Sequence, residues 1–189
     1  MRRGFKSNAE QIAAEIRVEL GLDENDRMDA LRLAEHLAIP VFTIRQVAEL
    51  NAQDSFAHYF SVIDPDSFSA VTVFCGYKRF IIHNENHHPH RQASNLAHEI
   101  SHTILEHSPT PVARHDGRRY WDSEVEQEAN WLGAALLVPR AGALEMFKAN
   151  CTVAQIASHF GVSESLCDWR IRQSGIDKQA ERWRRYRRD

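Results

Sequence analysis

The hydrophobic period of the chain changes at Pro40 and changes back near His83, and that double switch fixes the fold class. Before Pro40, Ile12, Ile16 and Leu20 recur at helical intervals and are closed by Gly21, and "MDALRLAEHLAI" gives a second amphipathic helix. Between residues 40 and 84 the chain reads "VFTI", "HYFSVI", "SAVTVF" and "RFIIHN". These short β-branched or aromatic runs, separated by Asp-Pro-Asp and Gly-containing turns, predict a small antiparallel sheet. Helical spacing then returns. Pro89 opens a helix of about 90 to 107 that ends before Pro109 and Pro111, and another runs from Asp122 or Ser123 to Val138, ahead of Pro139. "TVAQIASHFGVSESLCDWRIRQSG" reads as two short helices around Gly161-Val162-Ser163, the first opened by a Thr152–Gln155 capping box. Strands grouped apart from helices imply an α+β fold, the small sheet packed on helices. The expected boundaries are a main domain over 1–150, a helix-turn-helix-like segment over 151–175 and a basic tail over 176–189.

Length and composition bound the function classes. At 189 residues and 43% hydrophobic, the chain can bury one full-sized core. Its start, "MRRGFKSNAEQIAAEIRVEL", has no uninterrupted apolar stretch of the kind an export signal needs. The longest apolar run, within "ANWLGAALLVP", falls far short of the roughly 20 residues that cross a bilayer. Cys75, Cys151 and Cys167, an odd number without a CxxC, argue for a reducing cytoplasm. The net charge of -3 hides an asymmetry: residues 170–189 hold eight Lys/Arg against three Asp/Glu, a net of +5, which leaves -8 on residues 1–169. An acidic body with a basic tail is not a general nucleic-acid binder.

The segment "SNLAHEISHTILEH", residues 94–107, carries the chemistry. On a helix stepping about 100° per residue, His102 falls about 40° from His98, and Leu96, Ile100, Ala93, Ile104 and Ala97 fill the opposite arc. One face is thus a core stripe and the other gathers two imidazoles able to reach one ion. Glu99 lies too far round to join that pair but can reach a water on the metal. This is the HExxH arrangement, with two ligand histidines and a general base. Seven of the eleven histidines lie between His83 and His107, so a third ligand is the test of the motif. In "SEVEQEANWLGAALLVP", Glu126 shares a small, apolar face with Asn130, Gly133 and Ala134, whereas Glu124 and Glu128 point together the other way, towards water. Two readings of Glu126 stand. It is an inward-facing ligand, or it closes a capping box with Ser123; Asp122 as the cap would leave it free. Asn130, one turn on, suits a hydrogen bond to a ligand histidine.

The order "HEISH", then Glu126-Gln127-Glu128-Ala129-Asn130, then "LLVP" at 136–139 resembles the ImmA/IrrE family of zinc metallo-endopeptidases, which are zincin-like and, in their third ligand, gluzincin-like. "HRQASNLAHEISH" and "LRLAEHLAIPVF" are similar to that family as well, and the resemblance spans most of residues 8–175. It implies Zn2+ held by His98, His102 and Glu126, with Glu99 as catalytic base. It also implies a protein substrate, often a helix-turn-helix repressor cut in stress response or mobile-element control. The chain departs from the family at Leu132-Gly133 and Ile100-Ser101, positions that touch packing near the site. Two imidazoles and a carboxylate also suit iron or manganese. Tyr120, His115, His90 and Arg91 are near enough in sequence to be considered for stabilising an oxyanion, and none is singled out.

The C-terminal segment has helix-turn-helix spacing, with Ala157, Gly161 at the turn, Ser163 as a cap and Cys167 buried. Glu164 and Asp168 would repel phosphates, against only Arg170 and Arg172, so helical packing without DNA is favoured. "RWRRYRRD" interleaves five arginines with Trp183 and Tyr186, a pattern able to follow a nucleic-acid backbone and more often a solvated helix end. The sequence therefore predicts a cytoplasmic endopeptidase acting on a protein partner, without membrane association and with the oligomeric state open. Against it stands a DNA-binding or protein-interaction regulator whose zinc domain senses metal or scaffolds a partner.

Overall fold

The computed structural model describes residues 1–50, 64, 68–76, 78–108 and 122–186. Helix α1 (Phe5–Glu19) ends at Leu20, where Gly21 at φ 69° turns the chain, and α2 (Ala30–His36) is capped by the Asp29 carboxylate. Strand β1 (Val41–Thr43) leads into α3 (Ile44–Leu50), and β2 (Ala70–Cys75) and β3 (Lys78–His83) follow. Helices α4 (Pro89–Ile104), α5 (Ser123–Leu137), α6 (Arg140–Lys148), α7 (Val153–Phe160), α8 (Glu164–Ser174) and α9 (Ile176–Tyr186) complete the order.

The architecture is α+β, as the sequence implied, but the sheet is mixed rather than antiparallel. Its order is β1-β3-β2: β2 and β3 form an antiparallel pair, and β1 runs parallel to β3 with Val41 opposite Ile81. Parallel neighbours need a crossover of a dozen or more residues, and α3 stands in that connection, where side-chain period says nothing about strand direction. "HYFSVI", at residues 58–63, lies outside the described residues. Helix α3 begins within the expected strand "VFTI" because the Glu85 carboxylate, far along the chain, accepts from Ile44 N and Arg45 N. Helix α6 starts directly after Pro139, which serves as its N-cap as well as the stop of α5.

Alternation along the strands divides the sheet between two clusters. Ile82, Phe80, Val71 and Val73 pack with Ile44 and Phe68 on the α3 side, while Ile81, on the opposite face, joins the main core with Leu96 and Ile100 of α4. That main core continues through Leu132 and Leu136 of α5 and Ala13 and Ile16 of α1 to Ile156, Phe160, Cys167, Ile171 and Ala180 of α7, α8 and α9. The Thr152–Gln155 capping box is complete in both directions, and Ser163 caps α8. Burial pushes the Cys167 thiol up to about 11, as befits a small core filler.

Arg170 departs from its expected place beside Arg172 on an open face. It is fully buried, forks onto Glu10 with Nη1–Oε1 and Nη2–Oε2 both at 2.7 Å, and donates through Nε to Val138 O at 3.1 Å. A basic residue with an acidic partner on α1 has no phosphate to seek. Removing one member of such a pair strands the other, so Arg170→Ala is expected to cost about 3 kcal/mol in urea-induced unfolding. A change below about 0.5 kcal/mol would contradict the buried fork.

Candidate metal centre

Helix α4 forms because Pro89 occupies its first position, the His88 side chain accepts from His90 N, and Leu96, Ala97, Ile100 and Ser101 supply a continuous buried face. The opposite face presents His98, Glu99 and His102, all partly buried. Helix α5 crosses α4 at this level. A Cβ on Gly133 would lie 3.2 Å from the backbone of Ala97 and His98, so the absence of a side chain there permits the approach. Asp122 is the N-cap of α5, accepting from Glu124 N and Val125 N, which settles the two readings of Glu126 in favour of a free carboxylate.

That carboxylate meets both imidazoles. His98 Nε2 is 3.3 Å from Glu126 Oε2, His102 Nε2 is 3.7 Å from Oε1, and the two Nε2 atoms are 3.1 Å apart. Among the described residues these three alone group as possible ligands of one ion. Donors 2.0–2.1 Å from a tetrahedral ion are separated by about 3.3 Å, so the residues fit a divalent metal with little adjustment.

The outer nitrogens are held in turn. His98 Nδ1 is 3.0 Å from Asn130 Oδ1, an acceptor, so Nδ1 carries the proton and the Nε2 lone pair faces the donor cluster. His102 Nδ1 is 3.0 Å from His107 Nδ1, and His107 Nε2 stands 3.7 Å from Glu128 Oε2, an ion-pair rather than hydrogen-bond separation. Glu128, expected to face water, is instead buried and accepts from Arg2 through the backbone N at 2.9 Å, Nε at 3.0 Å and Nη2 at 2.7 Å. Of the two glutamates expected to face water, Glu124 alone does so, 3.0 Å from the Met1 amine. Spacing within α5 could not reveal a partner 126 residues away. His107 follows the end of α4, so no helical spacing announced its contact with His102.

Glu99 receives the Thr72 hydroxyl, Oγ1 to Oε2 at 2.7 Å. Thr72 lies opposite Ile81 in the β2–β3 ladder, on the face that meets α4, so strand alternation aims it at Glu99. His98, Glu99, His102, Glu126 and Asn130 all line one cavity of about 1410 Å³. Neither His90 nor Arg91 lines it; Arg91 Nη2 donates to Ser69 Oγ at 3.1 Å, while His115 and Tyr120 lie outside the described residues.

A family model described as the IrrE N-terminal-like domain (Peptidase_M78) matches residues 34–172, well over half of the chain. The chain belongs to this peptidase family. No curated protein matches it. For an IrrE-like metallopeptidase, the His-His-Glu cluster is compatible with a bound ion, and no described helix is long and apolar enough to cross a membrane.

The adjacent His102 and then His98 imidazoles draw the Glu126 carboxyl down to about 2. For His98, burial opposes protonation, but Glu126, Glu99 and Asn130 outweigh it and raise its pKa. Glu126 therefore contributes stability above its ordinary 4.5 and loses it as pH falls towards about 2. His98 contributes fully below 6.5 and loses it as pH rises through its raised value. The metal-free protein is thus expected to exceed Glu126→Gln in Tm most clearly between about pH 4.5 and 6.5, with the gap narrowing on either side. A gap that did not vary with pH would disprove the coupling. His107→Ala is expected to weaken metal binding about 10- to 100-fold in a chelator competition while sparing the fold; unchanged affinity would show that His102 needs no such support.

Proposed function

We propose that the protein is a zinc-dependent endopeptidase that hydrolyses a peptide bond within a protein substrate. The supporting observation is the convergence of two imidazoles and a carboxylate beside Glu99, in one open cavity of a chain from a peptidase family. Zinc held by His98, His102 and Glu126 supplies a water acidified towards a pKa of about 7 and Lewis-acid polarisation of the scissile carbonyl.

The chain's own residues do the rest. Glu99, displaced about 100° from His98 around α4, stays out of the donor set and faces the same cavity. Thr72 holds its Oε2, leaving Oε1 to accept the water proton and return it to the departing amine. Asn130 and His107 keep protons on the outer nitrogens, so the Nε2 lone pairs stay directed at the ion. The substrate we favour is a helix-turn-helix repressor in the cytoplasm, cut to release gene expression in stress or mobile-element control. The rival regulator reading loses support from the buried Arg170 and from the pairing of Arg172 with Asp168 at 3.0 Å, which leave α8 little charge to offer phosphates.

Glu99→Gln is expected to retain one zinc per chain and the wild-type Tm while losing at least about 100-fold in cleavage of a repressor encoded beside it. His98→Ala is expected to lose the zinc. Equal cleavage by wild type and Glu99→Gln, or salt-sensitive operator binding untouched by His98→Ala, would reject the peptidase reading in favour of the regulator.

A further inference from the structure

The cavity that contains the His-His-Glu cluster does not end within the main domain. One wall is formed by β2, including Val71 and Thr72. The same cavity is lined by Lys6 at the start of α1, by Gln127 and Trp131 of α5, and by Leu166, Trp169 and Gln173 of α8. The last three are spaced three and four residues apart, the interval that puts side chains on one helix face, so α8 turns a single stripe towards the cavity. On the side of that helix away from Trp169, Cys167 and Ile171 are buried in the core, which fixes its rotation.

The stripe is apolar and built on a rigid support. Trp169 is among the few large apolar side chains left open, at 36% exposure. Its ring meets that of Trp131 edge to face at 5.7 Å, and Lys6 Nζ covers Trp131 at 4.0 Å from the ring centroid. Trp131 directly follows Asn130, the residue bonded to His98, so the aromatic pair is tied to the donor cluster through adjacent positions of α5. An exposed indole inside a cavity, anchored from behind, offers a surface for a large apolar group.

We propose that Leu166 and Trp169 of α8 form a side-chain subsite that selects a bulky apolar residue of the polypeptide substrate at a fixed distance from the cleaved bond. The inference rests on the peptidase reading and extends it, giving the C-terminal helical segment a part in specificity. An α8 engaged in this way has its stripe turned into the cavity rather than towards a DNA groove. A chain lying along β2 presents alternate side chains to α8, and one of them seats on Trp169. The occupant is apolar because the stripe offers it an indole and a leucine, with Gln173 the remaining polar member.

The test uses the zinc-loaded full chain, its Trp169→Ala and Trp169→Phe variants, and two kinds of probe. A randomised decapeptide library reads cleavage, and a pair of peptide hydroxamates differing only in a benzyl or methyl side chain reads binding by calorimetry. Wild type is expected to enrich Phe, Leu, Met or Ile at one position among cleaved peptides and to bind the benzyl hydroxamate about tenfold more tightly. Trp169→Ala is expected to lose both preferences while keeping one zinc per chain and the wild-type Tm, and Trp169→Phe to restore them. Discrimination between the hydroxamates that vanishes in Trp169→Ala would uphold the subsite even if no peptide were cut, a result that would refute only the peptidase reading. The proposal is overturned if Trp169→Ala keeps the wild-type preferences, or if wild type fails to distinguish the two hydroxamates.

Discussion

A carboxylate on one helix can touch two imidazoles on another only if the helices cross closely enough, and that crossing depends on what their interface leaves out. Gly133 has backbone of Ala97 and His98 where a β-carbon would otherwise press, and Ala97, Ala129 and Ala134 are the small buried neighbours. Larger residues there would pack as well in a generic core but would carry Glu126 out of reach of His98 and His102. The site is therefore a consequence of core packing, with the polar face of α4 opposed to the small-residue face of α5.

Around that contact the polar groups form layers. Asn130 and His107 hold the outer imidazole nitrogens, and Glu128 stands behind His107 with its charge matched by Arg2. Thr72 of β2 orients Glu99. The supporting groups come from both ends of the sequence and its middle, so the start of the chain, the sheet and the helices α1, α4, α5 and α8 all contribute to one cavity. Such dispersed support is what a buried cluster of charge and imidazole requires, because every unsatisfied group would add a desolvation cost.

Much of this was legible from local pattern. The helical wheel of residues 94–107 separated core from site, the position of Glu126 among small residues marked it as inward-facing, and Asn130 followed from the same face. What local pattern could not supply was direction and distance in sequence. The parallel pairing of β1 with β3 depends on a crossover, the start of α3 depends on Glu85, and the burial of Glu128 and Arg170 depends on Arg2 and Glu10. A buried charge whose partner is remote looks, in sequence, like any solvated one. The cavity-facing stripe of α8 was equally hidden, since Leu166 and Trp169 fit an ordinary core face until the position of α5 is known.

The claim on which the account turns is that one ion is held by two imidazole nitrogens and one carboxylate, with a position left for water. X-ray absorption at the zinc edge of the stoichiometrically loaded protein tests it most directly. Two nitrogen scatterers at about 2.0–2.1 Å with imidazole multiple scattering, completed by oxygen alone and reduced in oxygen contribution in Glu126→Ala, is the expected spectrum. Sulfur in the first shell, or a spectrum indifferent to Glu126→Ala, would contradict it.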